Sequence, residues 1–251
     1  MRERNDVTAH ARAFDRAADV YEASRPSYPQ AAVDWLVPAR AKRVLDLGAG
    51  TGKLTRLLVD RALDVVAVDP SAQMLGVFER SLHGIPTHLG SAEDIPLGDA
   101  SVDAVVSGQA WHWVDPERAV PEVARVLRPG GTLGLVWNSR DESVDWVAEL
   151  GRRIGGDVVY APANTPPRVG GPFGPLETFD VRWSQELTLE GLLDLVRSRS
   201  YFITKEPDEQ TAVLESVQRL VAEHPALAGR DTIEMPYVTE CYRTQLPARV
   251  G

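Results

Sequence analysis

The chain has 251 residues, 43% apolar and 25% charged, with a formal net charge of −9 and one cysteine, Cys241. This size supports one generous domain without a disulfide or metal staple, and a lone cysteine permits no internal disulfide, which suits a reducing compartment. The acidic balance speaks against a nucleic-acid partner, and the lack of any apolar leader or run of about 20 apolar residues speaks against a membrane partner and for the cytoplasm.

The first helix is expected over residues 8–24, where Ala11, Phe14, Ala17, Ala18 and Tyr21 recur three or four apart. RPSYP, Arg25 to Pro29, breaks it, and a short helix follows over 30–37. Residues 1–38 therefore read as an N-terminal helical cap on a domain spanning 39–251. From there strands alternate with helices. RVLDL (43–47) is a strand of apolar character, followed by a glycine turn and a helix in KLTRLLVDRA. VVAVD (65–69) is the second strand. Ser71 then caps a helix whose Met74, Leu75, Phe78 and Leu82 share a face. IPTHLG (85–90) is a weak third strand and VDAVVSG (102–108) a fourth. Asp115 and Pro116 open a helix running to about residue 127, RPGG stops it, and TLGLVWN (132–138) is a fifth strand.

Such alternation means βαβ units and a parallel sheet covered on both faces, hence strands that are apolar throughout. After a helix over 143–154, APANTPPRVGGPFGP (161–175) reads as a loop or lid. TFDVRWSQ alternates as a strand with one wet face, and helices are expected over 188–199 and 208–222. In TIEMPYVTECYRTQ, Ile233, Met235, Tyr237 and Cys241 share a face, and Pro236 marks an edge strand or bulge.

VLDLGAGTG, Val44 to Gly52, carries the most chemistry. A buried strand ends at Asp46 and Leu47, and glycines follow at 48, 50 and 52 before a helix begins, which is a nucleotide-type site. A dinucleotide fingerprint would place its third glycine at position 53, which is Lys53, and no phosphate-binding G-x-x-x-x-G-K-[ST] is present. An acidic residue two positions before the first glycine suits a ligand with a cationic amino-acid end better than a pyrophosphate. Asp69 ends the second strand, 21 positions after Gly48, where a carboxylate can accept from both hydroxyls of a ribose; the competing role is a cap for the helix near Ser71.

VLDLGAGTGKLT, VVAVDPSAQML, GSAEDIPLGDASVDAVVSGQAWHW and ARVLRPGGTLGLVW resemble the successive motifs of class I S-adenosylmethionine-dependent methyltransferases, most closely the type-11 small-molecule group. The resemblance covers about residues 40–140. It implies a Rossmann-like doubly wound α/β sheet of seven strands, order 3-2-1-4-5-7-6, with strand 7 antiparallel. It also implies roles: Gly48, Ala49 and Gly50 beside the methionine part of the cofactor and Asp46 near its amino group; Asp69 on the ribose; Ala72 or Met74 lining the adenine pocket; Ser91, Ala92 and Glu93 at the adenine edge; Ser107 facing the reacting methyl. Tyr21 and Arg25 either close the site or serve as a core aromatic and a surface ion pair.

Methyl transfer is an in-line displacement in which the protein aligns the acceptor and excludes water. A carboxylate needs no base; a phenol, hydroxyl or amine must lose a proton. SGQAWHWVDP, between the fourth strand and the next helix, lies over the expected methyl. His112 there is either a base or substrate contact, or a structural hydrogen-bonding group; no ligand cluster supports a metal. Trp111 and Trp113 read as apolar walls of the acceptor pocket, and Asn138, Arg140, Arg197 and Tyr201 as further substrate contacts. SGQA replaces the Asp/Asn-Pro-Pro-aromatic of nucleic-acid amino-methyltransferases, and Asp141 alone does not make a catechol-type magnesium site. The expectation is methyl transfer to a small-molecule acceptor, most readily at oxygen and with carboxylates in range, by a monomer or homodimer. The alternatives are transfer to carbon or nitrogen, or a non-catalytic cofactor-binding protein.

Overall fold

A computed structural model describes residues 26–155 and 166–248; the readings made on Tyr21, Arg25 and the helix over 8–24 fall outside them. The sheet is mixed and seven-stranded, in the order β3-β2-β1-β4-β5-β7-β6. Its strands are β1 (Arg43–Leu47), β2 (Asp64–Asp69), β3 (Thr87–Leu89), β4 (Val102–Gly108), β5 (Leu127–Arg140), β6 (Glu177–Leu187) and β7 (Ile233–Gln245). β1 pairs in parallel with β2 and β4, β2 with β3, and β4 with β5.

The described residues divide into two units. The larger holds 27–139, 166–181 and 238–248. Its helices are α1 (Gln30–Leu36), α2 (Lys53–Val59), α3 (Ala72–Ser81) and α4 (Pro116–Val126). Successive strand residues point to opposite faces. On one face Leu45, Val66, Val105, Leu133 and Leu135 pack with Ala119, Val120 and Val123 of α4. On the other Val44, Val65, Ala104 and Val136 pack with Val33 and Leu36 of α1 and Leu54 and Leu58 of α2. Two covered faces are why these strands carry no polar alternation. The helix starts follow their capping residues: the Ser71 side chain accepts from the Met74 N–H, and that of Asp115 from the Glu117 N–H with Pro116 at the first helical position.

RPGG does not separate helix from strand as expected. α4 ends at Val126 and β5 begins at Leu127, with Val102 opposite Leu127 and Ala104 opposite Thr132. The glycine pair is absorbed as a bulge, Gly130 at φ +79°. The described part of the Pro/Gly-rich segment is packed: Val169 and Phe173 lie on the α4-side core, and Gly174 exchanges hydrogen bonds with Gln245 and Thr244.

The second unit holds Pro26, 140–155 and 182–237. Trp146, Val147, Leu150 and Ile154 of α5 (Asp145–Ile154) share a core with Leu192, Leu193 and Val196 of α6 (Leu189–Arg197). After the single turn α7 (Ser200–Ile203), α8 (Pro207–Glu223) adds Val217 and Leu220. Ile233, Met235 and Tyr237 of β7 complete that core, as their shared face required. The edge placement of β7 was wrong: it lies between β5 and β6. Pro236 is tolerated because its carbonyl accepts from the Asp141 N–H at 2.9 Å, just past the end of β5. The nitrogen and oxygen of one strand residue face the same side, so the missing donor faces a margin where the ladder has stopped. Among the described residues no helix is long and apolar enough to cross a membrane.

Candidate active site

The glycine turn leaves β1 and folds against the end of β2. The N–H groups of Gly48 and Ala49 both donate to the Val68 carbonyl, at 2.8 and 3.2 Å. The Gly50 N–H donates to Asp69 Oδ2 at 2.8 Å, and the Gly52 N–H to the Ala49 carbonyl at 2.9 Å. These four amides are therefore satisfied within the turn. Phosphate-binding turns instead aim such groups outward at the anion, so the turn is not a phosphate cradle, and two carboxylates stand beside it. The glycines have separate causes. A Cβ on Gly48 would lie 2.6 Å from Ala110 Cβ, whereas one on Gly50, at φ +55°, would meet nothing within 4 Å. Gly48 thus permits close packing, and Gly50 borders open space at the sheet edge.

Asp46 is 1% exposed. Its Oδ2 accepts from the Thr55 hydroxyl at 2.6 Å, and its Oδ1 is buried without a hydrogen-bond partner. Burial, reinforced by the nearby Asp69 charge and opposed by Thr55, pushes its pKa up to about 7. An orphaned carboxylate oxygen costs free energy that a cationic ligand group would recover. Asp69, also buried, uses Oδ2 on Gly50 and Oδ1 on the Ser71 N–H at 2.8 Å. It is not the helix cap, since Ser71 is; it ties the two turns together. Ionised carboxylate oxygens offer about four acceptor sites, so two remain for hydroxyls.

Ala72 is exposed and Met74 half-buried at the start of α3. Ser91 and Asp94 form an isolated bridge after β3, and Ala92 is buried in the α4-side core. Glu93 Oε1 accepts from the Asp115 N–H at 2.8 Å. Partial burial would raise its pKa, but that bond and one with Ser91 outweigh it and leave the carboxyl below its ordinary value. Glu93 thus braces the entry to α4.

The loop after β4 lies directly on the glycine turn. Ser107 is 2% exposed, its Oγ 4.0 Å from where a Gly48 Cβ would be, with Ala110 closer still. Gln109 holds φ +56°, its N–H donates to the Val136 carbonyl, and its side-chain amide donates to the Asn138 carbonyl at 3.0 Å. Non-glycine residues in that region are strained and cluster at functional sites. The hydroxyl of Tyr28 would lie 2.5 Å from a Cβ on Gly108. Sequence reasoning missed both residues. Tyr28 had a signal, an aromatic in RPSYP; Gln109 had none, because a positive φ outside glycine leaves no mark in the sequence.

Residues 111–113 form a single 3-10 turn. Trp111 is 3% exposed in the α4-side core, its indole N–H donating to the Arg168 carbonyl at 3.3 Å; it is a core residue, not an acceptor wall. Trp113 is 69% exposed and tilts against the His112 ring at 4.8 Å. His112 Nδ1 accepts from the indole N–H of Trp137 at 3.3 Å, and desolvation holds the imidazole pKa below its usual value. The Asn138 side chain is spent on structure, donating to the Ser27 carbonyl at 3.0 Å and accepting from the Thr239 hydroxyl at 2.7 Å. Arg140, Arg197 and Tyr201 belong to the second unit. Arg140 is buried, and Arg197 is paired with Glu190 and Asp194 of its own helix, so its charge is already matched.

A family model described as a methyltransferase domain matches residues 45–135. An uncharacterized methyltransferase of Mycobacterium tuberculosis is 56% identical over 235 residues, covering 93% of this chain and 95% of its own. A malonyl-(acyl-carrier protein) O-methyltransferase of Pectobacterium atrosepticum is 34% identical over 163 residues, 62% of this chain and 63% of its own. A solved structure from Anaeromyxobacter dehalogenans, described as a candidate type II methyltransferase, superposes with TM-score 0.63 at 25% identity, covering 90% of this chain and 99% of that one. A (4+2)-cyclase at 19% identity and TM-score 0.54, covering 90% of this chain and 84% of its own, shares the fold alone. With the sheet order and the turn, these define the chain as a class I S-adenosylmethionine-dependent methyltransferase. It belongs to the type-11 methyltransferase family.

Proposed function

We propose that this enzyme methylates an oxygen of a small-molecule acceptor, with carboxylates as the acceptor class. The observation that carries the cofactor side of this reading is the turn itself, whose amides are spent internally beside a buried carboxylate oxygen without a partner. That arrangement suits a ligand bearing an ammonium and a ribose. Asp46 would hold the amino group of the cofactor, Asp69 the ribose hydroxyls, and Gly50 would let the ligand approach the backbone. Bound S-adenosylmethionine supplies an electrophilic methyl group on a sulfonium centre. Ser107 and Ala110, against Gly48, set the floor over which the acceptor lies, and the loop through Trp113 shields it from water. Similarity to an enzyme named for O-methylation of a malonyl group, which ends in a carboxylate, supports the acceptor class.

The test is a methyl-donor assay over mono- and dicarboxylic acids, phenols and amines, with formation of S-adenosylhomocysteine as the readout. The expected product is an alkali-labile methyl ester. Turnover confined to amines or to carbon acceptors would refute the oxygen assignment.

A further inference from the structure

β4 ends at Gly108, opposite Val136 of β5, and the next residue turns the chain away. Gln109 makes this turn at φ +56°, a conformation that glycine adopts freely and other residues adopt against a contact of Cβ with the backbone. Its own N–H completes the ladder on the Val136 carbonyl at 2.9 Å. Carbonyls two residues apart on a strand face the same neighbour. The Asn138 carbonyl therefore faces the line of β4 just beyond its end, where an unturned chain would have offered the Trp111 amide. The side chain of Gln109 takes that place, Nε2 donating to the Asn138 carbonyl at 3.0 Å. Glycine would relieve the backbone but leave that carbonyl without its bond. Asparagine tolerates the same φ, but its amide falls one carbon–carbon bond short, about 1.5 Å. A glutamine at this position is therefore explained by its reach and not by its backbone preference.

We infer that Gln109 is a positioning residue for methyl transfer: its clamp on the Asn138 carbonyl seats Ala110 against Gly48 and so sets the spacing between the acceptor loop and the cofactor turn. The inference rests on the cofactor site proposed above and not on the chemistry of the acceptor. Both ends of the clamp are fixed. The Asn138 side chain donates to the Ser27 carbonyl and accepts from the Thr239 hydroxyl, which holds the anchoring carbonyl in place. On the other side, Gly108 lies so close under the Tyr28 hydroxyl that a Cβ there would come within 2.5 Å of it, and the Ala110 Cβ stands 2.6 Å from where a Gly48 Cβ would be. The residues before and after Gln109 are thus packed without slack, and the turn has one seat. In-line displacement needs the acceptor and the sulfonium methyl aligned, and an error of about 1 Å in that alignment is costly. Gln109 acts on this alignment through Ala110.

Gln109→Gly and Gln109→Glu in the full chain separate the clamp from the strain. Glycine removes both; glutamate keeps the strained backbone and the side-chain length, but once ionised it only accepts. Hydrogen exchange followed by mass spectrometry needs no acceptor. Peptides covering 109–114 should exchange about fivefold faster in both variants, with those of β1 and β2 unchanged. Unaltered exchange over 109–114, or a rise that extends to β1 and β2, would overturn the inference. The second arm uses whichever member of the acceptor panel is turned over. In both variants kcat should fall about ten- to a hundredfold while affinity for S-adenosylhomocysteine stays within about twofold. The urea midpoint of the glycine variant should stay at the wild-type value, since relief of the backbone offsets the lost bond. Wild-type kcat in Gln109→Gly would overturn the inference. So would a kcat loss accompanied by weaker S-adenosylhomocysteine binding or a lowered midpoint, which would make Gln109 a residue of the cofactor site or of the fold. Absence of turnover across the whole panel would count against the proposed function, while the exchange arm decides the clamp separately.

Discussion

The glycine turn after β1 and the aromatic loop after β4 touch at Gly48 and Ala110, yet they are held by different means. The turn is held by its own backbone: four amides, a carbonyl of β2 and one carboxylate close on each other within about twenty residues of chain. The loop is held by side chains bonded to distant residues, Trp111 to Arg168, His112 to Trp137 and Gln109 to Asn138. A backbone-held site tolerates many side-chain changes but not an added Cβ where two segments meet. A side-chain-held loop can be undone one residue at a time, and its neighbours differ sharply in what they contribute.

That contrast can be broken first at the tryptophans. Trp111→Ala removes a buried ring and should destabilise the chain by about 3–5 kcal/mol in urea denaturation. Trp113→Ala, at 69% exposure, should change stability by less than about 0.5 kcal/mol. Similar costs for both would mean that the loop is not packed as described. The turn offers the next pair. Gly48→Ala forces a Cβ to 2.6 Å from Ala110 at φ +74° and should cost about 2–4 kcal/mol. Gly50→Ala meets only backbone strain, about 1–2 kcal/mol, but fills the space assigned to the cofactor. Its binding of S-adenosylhomocysteine should fall more than its stability does.

Asp46 sharpens the electrostatics. Burial holds its pKa at about 7, against 3.8 for an ordinary aspartate. Between those values the folded state holds more protons than the unfolded one, so the contribution to stability falls as pH rises from about 4 to 7 and is flat above. Asp46→Asn should flatten this part of the unfolding free-energy curve measured against pH. The same ionisation favours an ammonium ligand, so affinity for S-adenosylhomocysteine should rise with pH through 7 in the wild type and stay level in the variant. The smallest effect belongs to Arg197→Ala. A half-buried guanidinium paired on its own helix should contribute at most about 1 kcal/mol, with turnover unchanged.

How far each region could be read in advance follows the same division. Local patterns resolve local structure. The strand before Asp46, the glycine spacing, Ser71 and Asp115 as caps and the seven-strand order were all legible, because each rests on residues a few positions apart or on motifs in fixed succession. Trp111 as a wall and Asn138 as a substrate contact were not borne out by where the structure puts them. Trp111 is fixed by the Arg168 carbonyl within a core that Val169 and Phe173 join, and the Asn138 amide by Ser27 and Thr239, all remote in sequence. Pro236 misled for a related reason: a missing donor is harmless where the neighbouring strand has ended, and strand length opposite a residue is not written beside it.

The central claim is that the turn and its two carboxylates bind the cofactor through an ammonium and a ribose rather than through phosphate. Calorimetric titration of the full chain with S-adenosylhomocysteine, wild type beside Asp69→Asn, tests it most directly. Loss of charged hydrogen bonds to the ribose should weaken binding about tenfold or more, and the urea midpoint should fall as well, because the asparagine NH2 faces one of the two amide donors that Asp69 accepts from. Equal affinity in the two proteins would contradict the account.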